Sequence, residues 1–244
     1  MGELIAFVSG KGGTGKTTVC AGVATALAMS GKKVLCTDCD VGLRNLDIAL
    51  AMSDSGAISF LEATREEYGL AGAARHPLYS TLSFLTAPVS CTADQIPVRR
   101  VEKLLQQARK EFDYVLLDAP AGLEAGFRMA ARYSDRIVLV TGADPASIRD
   151  AARAGQELRT MGKNSIRLVV NRVDPKILYD MEITVDDIMD QTGLPLLGIV
   201  PEDSNVLFAA VFQEPLLEYT RKGAAAACSR IAGRIKGISV KIPL

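Results

Sequence analysis

Gly10-Lys11-Gly12-Gly13-Thr14-Gly15-Lys16-Thr17 decides how the rest of the chain is read. It fits the pattern G-x-x-x-x-G-K-S/T at every position, between a short apolar run at 4–9 and a helical stretch at 16–30 that Gly31 closes. Glycines at these places let backbone N–H groups turn inward around an anion, which a Cβ would obstruct. The amino end of the following helix adds partial positive charge. A strand, this loop and a helix in that order point to bound phosphate. Lys16 reaches the β- and γ-phosphates of a nucleoside triphosphate, and the Thr17 hydroxyl ligates Mg²⁺.

Outward from the loop, strand-like and helical runs alternate. Strands are predicted at 33–38, 81–86, 113–118, 136–141, 166–171 and 196–200. Helices are predicted at 98–110, 124–132, 145–161 and 184–192, with further helical segments after 203. The region 41–80 is less regular, with short helices around 57–66. Apolar runs such as Tyr114-Val115-Leu116-Leu117 and Ile137-Val138-Leu139-Val140 suit strands buried on both faces, hence a parallel sheet under helices. The expectation is one doubly wound α/β domain: a mostly parallel sheet with helices on both faces.

The 244 residues are 48% hydrophobic, enough to bury a sizeable core. Lys+Arg and Asp+Glu are both 28, so no global charge marks the chain for nucleic acid. The first residues carry no signal-peptide pattern, and no run approaches the roughly 18 apolar residues of a membrane span. The five cysteines, Cys20, Cys36, Cys39, Cys91 and Cys228, sit in apolar contexts that suit reduced, buried thiols. Cys36 and Cys39 form a C-x-x-C. On a strand, however, side chains three apart point to opposite faces, and the one histidine, His76, is distant, so packing is the preferred reading over metal or redox chemistry.

Acidic residues at strand ends complete the candidate site. Asp118 ends an apolar strand where a Walker B aspartate would hold Mg²⁺ through water. Asp38 and Asp40 follow the strand at 33–38. Carboxyl ends of parallel strands converge on the ligand crevice, so these acids face the phosphates in this reading; the alternative for each is a helix cap or a solvated loop residue.

Lys11, one residue after the first glycine, gives the loop a further character. Gly10 to Thr18 resembles the deviant Walker A loop of the MinD/ParA (SIMIBI) P-loop ATPases. Asp38-Cys39-Asp40-Val41-Gly42-Leu43-Arg44-Asn45-Leu46-Asp47 is similar to the switch I of the MinD branch, and Asp118-Ala119-Pro120-Ala121-Gly122 to its switch II. Ser147-Ile148-Arg149-Asp150, Asn171-Arg172 and Ile199-Val200-Pro201-Glu202-Asp203 extend the match, in order, over about residues 1–215.

The resemblance implies an ATPase, slow and activator-stimulated, that dimerises on ATP and acts in placing the division site. It implies that Lys11 reaches the partner subunit's ATP in a face-to-face dimer. Gly10, Gly12, Gly13, Thr14, Gly15, Lys16, Thr17 and Thr18 would hold phosphate, with Thr17, Asp40 and Asp118 about the Mg²⁺ and Asp40 positioning the attacking water. Asn171, Arg172, Pro201 and Asp203 would lie at the adenine. A lysine supplied in trans makes physical sense, because it neutralises charge on the transferred phosphoryl group as an arginine finger does.

On this reading residues 1–222 are the ATPase domain and 223–244 a terminal helix and tail. Cys228, Ile231, Ala232 and Ile235 form a helical stripe with Arg230 and Arg234 opposite, which suits contact with an anionic membrane or packing on the sheet. No Phe or Trp is present there, and Gly233, Gly237 and Pro243 interrupt the pattern. Gln213 also stands before Glu214-Pro215 where the family often has glycine. A cytoplasmic protein, peripheral at the membrane in its ATP state and regulated by a MinC- or MinE-like protein, is the leading expectation. The alternatives are a ParA-like DNA-partitioning ATPase, an FlhG-like flagellar-number regulator and a metal-cluster carrier using paired cysteines.

Overall fold

The structure is a computed structural model that describes residues 1–41, 44–89 and 96–242. Gly42, Leu43, Cys91, Pro243 and Leu244 therefore lie outside the described residues. The elements run β1 (Glu3–Val8), α1 (Lys16–Met29), β2 (Val34–Asp38), α2 (Leu46–Ala49), β3 (Ala74–Arg75), β4 (Leu82–Leu85), α3 (Val98–Glu111), β5 (Tyr114–Asp118) and α4 (Ala125–Tyr133). Then follow β6 (Arg136–Thr141), α5 (Pro145–Thr160), β7 (Ile166–Val173), α6 (Pro175–Asp180), α7 (Val185–Thr192), β8 (Leu196–Pro201), α8 (Asn205–Val211), α9 (Leu216–Tyr219) and α10 (Gly223–Ile235). The expected doubly wound sheet is present, and each predicted strand lies within two residues of an observed one. Three elements were not foreseen: α2, α6 and β3. The expected helix around 57–66 is a single 3₁₀ turn, Glu62–Thr64, with another at Gly69–Gly72.

Among the described residues the sheet has eight strands, ordered β3-β4-β2-β5-β1-β6-β7-β8. All pairs are parallel except β3 with β4. From β1 the chain passes through α1 to β2 on one side, and it later reaches β6 on the other side. The carboxyl end of β1 is thus the point where the winding reverses, and there a crevice opens above the sheet. The phosphate loop leaves β1 at that point.

Strand alternation divides the interior into two cores. Leu4, Ala6 and Val8 of β1 face one, while Ile5 and Phe7 face the other. Cys36 belongs to the second core and Cys39 to the first, as the spacing of the C-x-x-C requires. Cys20, Cys36, Cys39 and Cys228 are free and buried. The amphipathic α3 turns Val101, Leu104, Leu105 and Ala108 inward, the i, i+3, i+4, i+7 stripe of a surface helix.

Helix α1 is different. Eleven of its 14 residues are buried, because it lies on the sheet and packs alongside α10. Small residues bring the two helices close: a Cβ on Gly22 would fall 2.6 Å from the Cys228 sulfur. Gly31 ends the helix in the left-handed region (φ 79°), as predicted.

The apolar stripe of α10 is covered by this packing. Cys228, Ile231, Ala232 and Ile235 are all buried in the second core, and Gly198 of β8 leaves room for Ile231 (a Cβ there would lie 2.5 Å from its Cγ1). Beyond the helix, Arg234 donates to the carbonyls of Leu197 (2.9 Å), Val240 (2.9 Å) and Lys241 (2.7 Å), holding the tail against β8. Among the described residues no helix is long and apolar enough to cross a membrane. Ile231 is fully buried, so Ile231→Ala is expected to destabilise the whole domain by about 2–5 kcal/mol, read as a lower denaturant midpoint with an unchanged slope.

Candidate functional site: a phosphate loop at the centre of the sheet

The loop is built by glycines and braced from three sides. Gly13 (φ 80°) and Gly15 (φ 79°) take the left-handed backbone that L side chains disfavour. Gly10 lies against the Asp150 carbonyl of α5, where a Cβ would collide. The Gly122 N–H donates to Ser9 (3.1 Å), and Asn171 at the end of β7 donates its amide to the Thr14 carbonyl (2.7 Å). No side chain caps α1, whose N-cap is Gly15 itself, so its first N–H groups lack side-chain partners. The Thr14 hydroxyl is also buried without a partner.

Beneath the loop Lys16 and Asp118 form an ion pair with side chains only 6% and 1% exposed. Thr17 donates its hydroxyl to the other Asp118 oxygen at 2.7 Å. Burial raises the Asp118 carboxyl above the ordinary aspartate range, while the Lys16 ammonium and the Thr17 hydroxyl act against that rise. Parallel register sets Asp38 of β2 beside Asp118 of β5. Burial, then the charge of Asp118, pushes Asp38 up to about 6, against the pull of the Asp40 and Leu46 N–H groups that it accepts at 2.9 and 3.2 Å. Asp40 is half-buried, and burial raises its carboxyl too, opposed chiefly by Lys16. The four expected groups Lys16, Thr17, Asp40 and Asp118 therefore share one electrostatic neighbourhood.

Lys11 stands apart from that group. Its ammonium is 3.6 Å from Asp144 at the start of α5, in a side-chain pair 45% and 54% exposed. Asp144 also caps α5, accepting from the Ser147 N–H at 3.0 Å, with Pro145 at the first helical position. A cavity of about 390 Å³ opens here, lined by Lys11, Gly12, Gly13, Asp144, Ser147 and Arg172 among others. On the far side of Thr17 and Thr18 a second groove, about 180 Å³, runs between α2 and α8 and is lined by Asn45, Ile48, Val206 and Ala210.

The residues expected at the base have partners inside the protein. Asn171 braces Thr14, as above. Arg172, in a left-handed backbone (φ 58°), pairs with Glu202 at 2.7 Å. Half-buried Pro201 ends β8. Asp203 accepts from Asn205 of α8 (3.0 Å) and from the Ala224 N–H of α10 (2.9 Å), joining the starts of two helices.

The sequence assigns nothing to Asp144 or the α2–α8 groove, and it sets Asp38 toward the phosphates with Asp40, whereas in the structure both Asp38 oxygens accept from the Asp40 and Leu46 N–H groups. Asp144-Pro145 is a legible start signal for a helix, so the cap of α5 was within reach. Asp38 as the organiser of the segment after β2 follows only from its two hydrogen bonds.

The profile of the CobQ/CobB/MinD/ParA nucleotide binding domain matches residues 5–216. The septum site-determining protein MinD of Synechocystis sp. is 35% identical over 240 residues, 97% of this chain and 90% of the relative. A MinC:MinD cell division protein complex from Aquifex aeolicus superposes with a TM-score of 0.91 at 31% identity, over 99% of this chain and 98% of the other. The septum site-determining protein MinD complexed with Mg-ADP, from Pyrococcus horikoshii, superposes with a TM-score of 0.83 at 26% identity, over 96% of each chain. With the phosphate loop seated at the sheet's winding reversal and this breadth of likeness, the chain belongs to the CobQ/CobB/MinD/ParA nucleotide-binding family.

Proposed function

We propose that this chain is a MinD-like ATPase: ATP joins two copies, hydrolysis parts them, and the paired form holds a regulator or membrane surface in placing the division site. The observation that carries this reading is the division of labour between two lysines on one loop. Lys16 is buried against Asp118, whereas Lys11 is half-exposed at the mouth of the loop, beside Asp144. Lys16 is then the cation for the chain's own nucleotide, and the half-exposed Lys11 serves one presented from outside.

The loop suits a polyphosphate. Its buried Thr14 hydroxyl lacks a partner, the first N–H groups of α1 lack side-chain caps, and a Cβ at Gly15 would run into the Asn171 amide. Among the described residues no cluster of three or more Asp, Glu, His or Cys could hold a metal by itself. Mg²⁺ needs no such cage, since it is held by one or two protein oxygens together with substrate phosphates. Thr17 would hold it directly and Asp118 through water, with Asp40 nearby; when bound it neutralises charge on the β- and γ-phosphates. Asp40 orients the attacking water, and the partner subunit's Lys11 stabilises the charge that develops in transfer. Asn171 with the 201–203 segment borders the base from the larger cavity, which Asn171 and Glu202 line, and the α2–α8 groove flanks the nucleotide on the Thr18 side. The regulator is a protein of the MinC type, by analogy with the complex above. With the apolar stripe of α10 covered, a membrane contact through 223–244 falls on the outward basic residues Arg230, Lys236 and Lys241.

Gly15→Ala is expected to weaken ATP binding at least 100-fold in titration calorimetry while the chain still folds, because it both strains φ and displaces Asn171. Lys11→Ala should keep ATP binding but lose ATP-dependent dimerisation in light scattering and the associated phosphate release. A variant that dimerises and hydrolyses normally would remove the trans role of Lys11. Sedimentation of the wild-type chain with anionic liposomes in ATP but not ADP is the expected result; salt-sensitive retention on DNA under the same conditions would instead place it with the partitioning ATPases.

A further inference from the structure

His76 is the one histidine of the chain, is 3% exposed, and has no place in the chemistry above. Its ring is bonded at both nitrogens. Nδ1 accepts from the backbone N–H groups of Leu78 (3.1 Å) and Tyr79 (3.3 Å), while Nε2 lies 2.9 Å from the carbonyl of Leu50. Backbone N–H groups only donate, so Nδ1 must be the bare acceptor and Nε2 must carry the proton given to Leu50. Leu50 is the C-cap of α2, whose Asn45, Ile48 and Ala49 form one wall of the groove facing Thr17 and Thr18. The other end of α2 is held by Asp38, at the Leu46 N–H. A four-residue helix has no stability of its own, so its position is set by what grips its two ends.

We propose that His76 is a positioning residue for the nucleotide: as the neutral, Nε2-protonated imidazole it fixes the carboxyl end of α2, and with it one wall of the groove beside Thr18. This rests on the reading that the groove beside Thr18 takes the nucleotide. Protonation would aim a second ring N–H at the Leu78 and Tyr79 donors, so the acid form cannot keep the arrangement. Burial lowers the His76 pKa, opposed by its bond to Leu50 and by the charge of Glu218. Glu218 of α9 is itself paired with Arg221 (3.6 Å) and bonded to the Tyr79 hydroxyl; Asp47 of α2 accepts from the Ile48 N–H (2.8 Å), and Arg75 of β3 is exposed. A depressed histidine pKa means that the grip is complete above the ordinary value near 6.5 and is lost as pH falls through the folded value.

Two substitutions separate this role from simple support of the 76–79 turn. In His76→Gln the side-chain amide reaches the Nε2 position and keeps the bond to Leu50 but drops the turn acceptor. In His76→Asn the carbonyl reaches the Nδ1 position and keeps the turn but drops Leu50. His76→Asn is expected to raise the Kd and KM for ATP about three- to tenfold with kcat little changed, the worth of one buried hydrogen bond, while His76→Gln stays within about twofold. As pH is lowered from 7.5 through the depressed folded value of His76, the wild type should lose more affinity than His76→Gln. Equal effects of both variants, no effect of either, or a loss confined to His76→Gln would overturn the proposal. If the wild-type chain binds no ATP, the reading of the groove falls. Amide exchange over residues 46–50 then decides the positioning role: faster exchange in His76→Asn alone sustains the grip on α2, and any other pattern overturns it.

Discussion

A buried ammonium facing a buried carboxylate, Lys16 against Asp118, is the contact on which the centre of this molecule depends. Neither charge could stay where it is without the other; removing one partner of such a pair costs about 3–5 kcal/mol because the remaining charge is left uncompensated. The pair ties the first residue of α1 to the last residue of β5. Through Thr17 and the parallel register of β2 with β5 it also aligns Asp38 and Asp40. Because each partner also matches a component of a magnesium–phosphate complex, the ammonium for phosphate and the carboxylate for the metal's water, the contact is replaceable by charges of the same signs. In the proposed function, stability and nucleotide binding would draw on one set of atoms, while Asn171, Asp150 and Gly122 brace the loop from outside.

Much of this was legible in the sequence, for a physical reason. Continuous apolar runs such as Tyr114 to Leu117 suit central strands, and G-x-x-x-x-G-K-T follows such a run at residues 4–9, so strand, loop and helix support one another. What stayed hidden has no periodicity to read. Helix α2 is four residues long and is held from its ends by Asp38 and His76, two tertiary contacts that no local pattern encodes. Strand β3 is two residues long and pairs antiparallel with β4. The stripe of α10 was legible as a stripe, but a sequence does not say what covers it; α1, with its run of small residues, does.

The carboxyl ends of β7 and β8 show how a site can be mechanically joined to distant parts of a chain. Asn171 reaches from β7 to the loop, Arg172 reaches to Glu202, and Asp203 grips both α8 and the start of α10. Residues named for contact with a ligand are at the same time the fasteners of two helices. Gln213, held in a left-handed backbone (φ 53°) that glycine would accept more readily, closes the far end of α8.

The thin seam between α1 and α10, where Gly22 meets Cys228, has a consequence for substitution. Gly22 cannot change alone, because any side chain there displaces the sulfur; position 228 accepts a smaller residue, but anything bulkier than cysteine meets the backbone of the loop's own helix. A side chain at 22 therefore needs a smaller residue at 228 or a shift of α1, and a bulkier residue at 228 needs the shift; moving α1 moves Lys16. The terminal helix is in this way tied, through α1, to the phosphate loop.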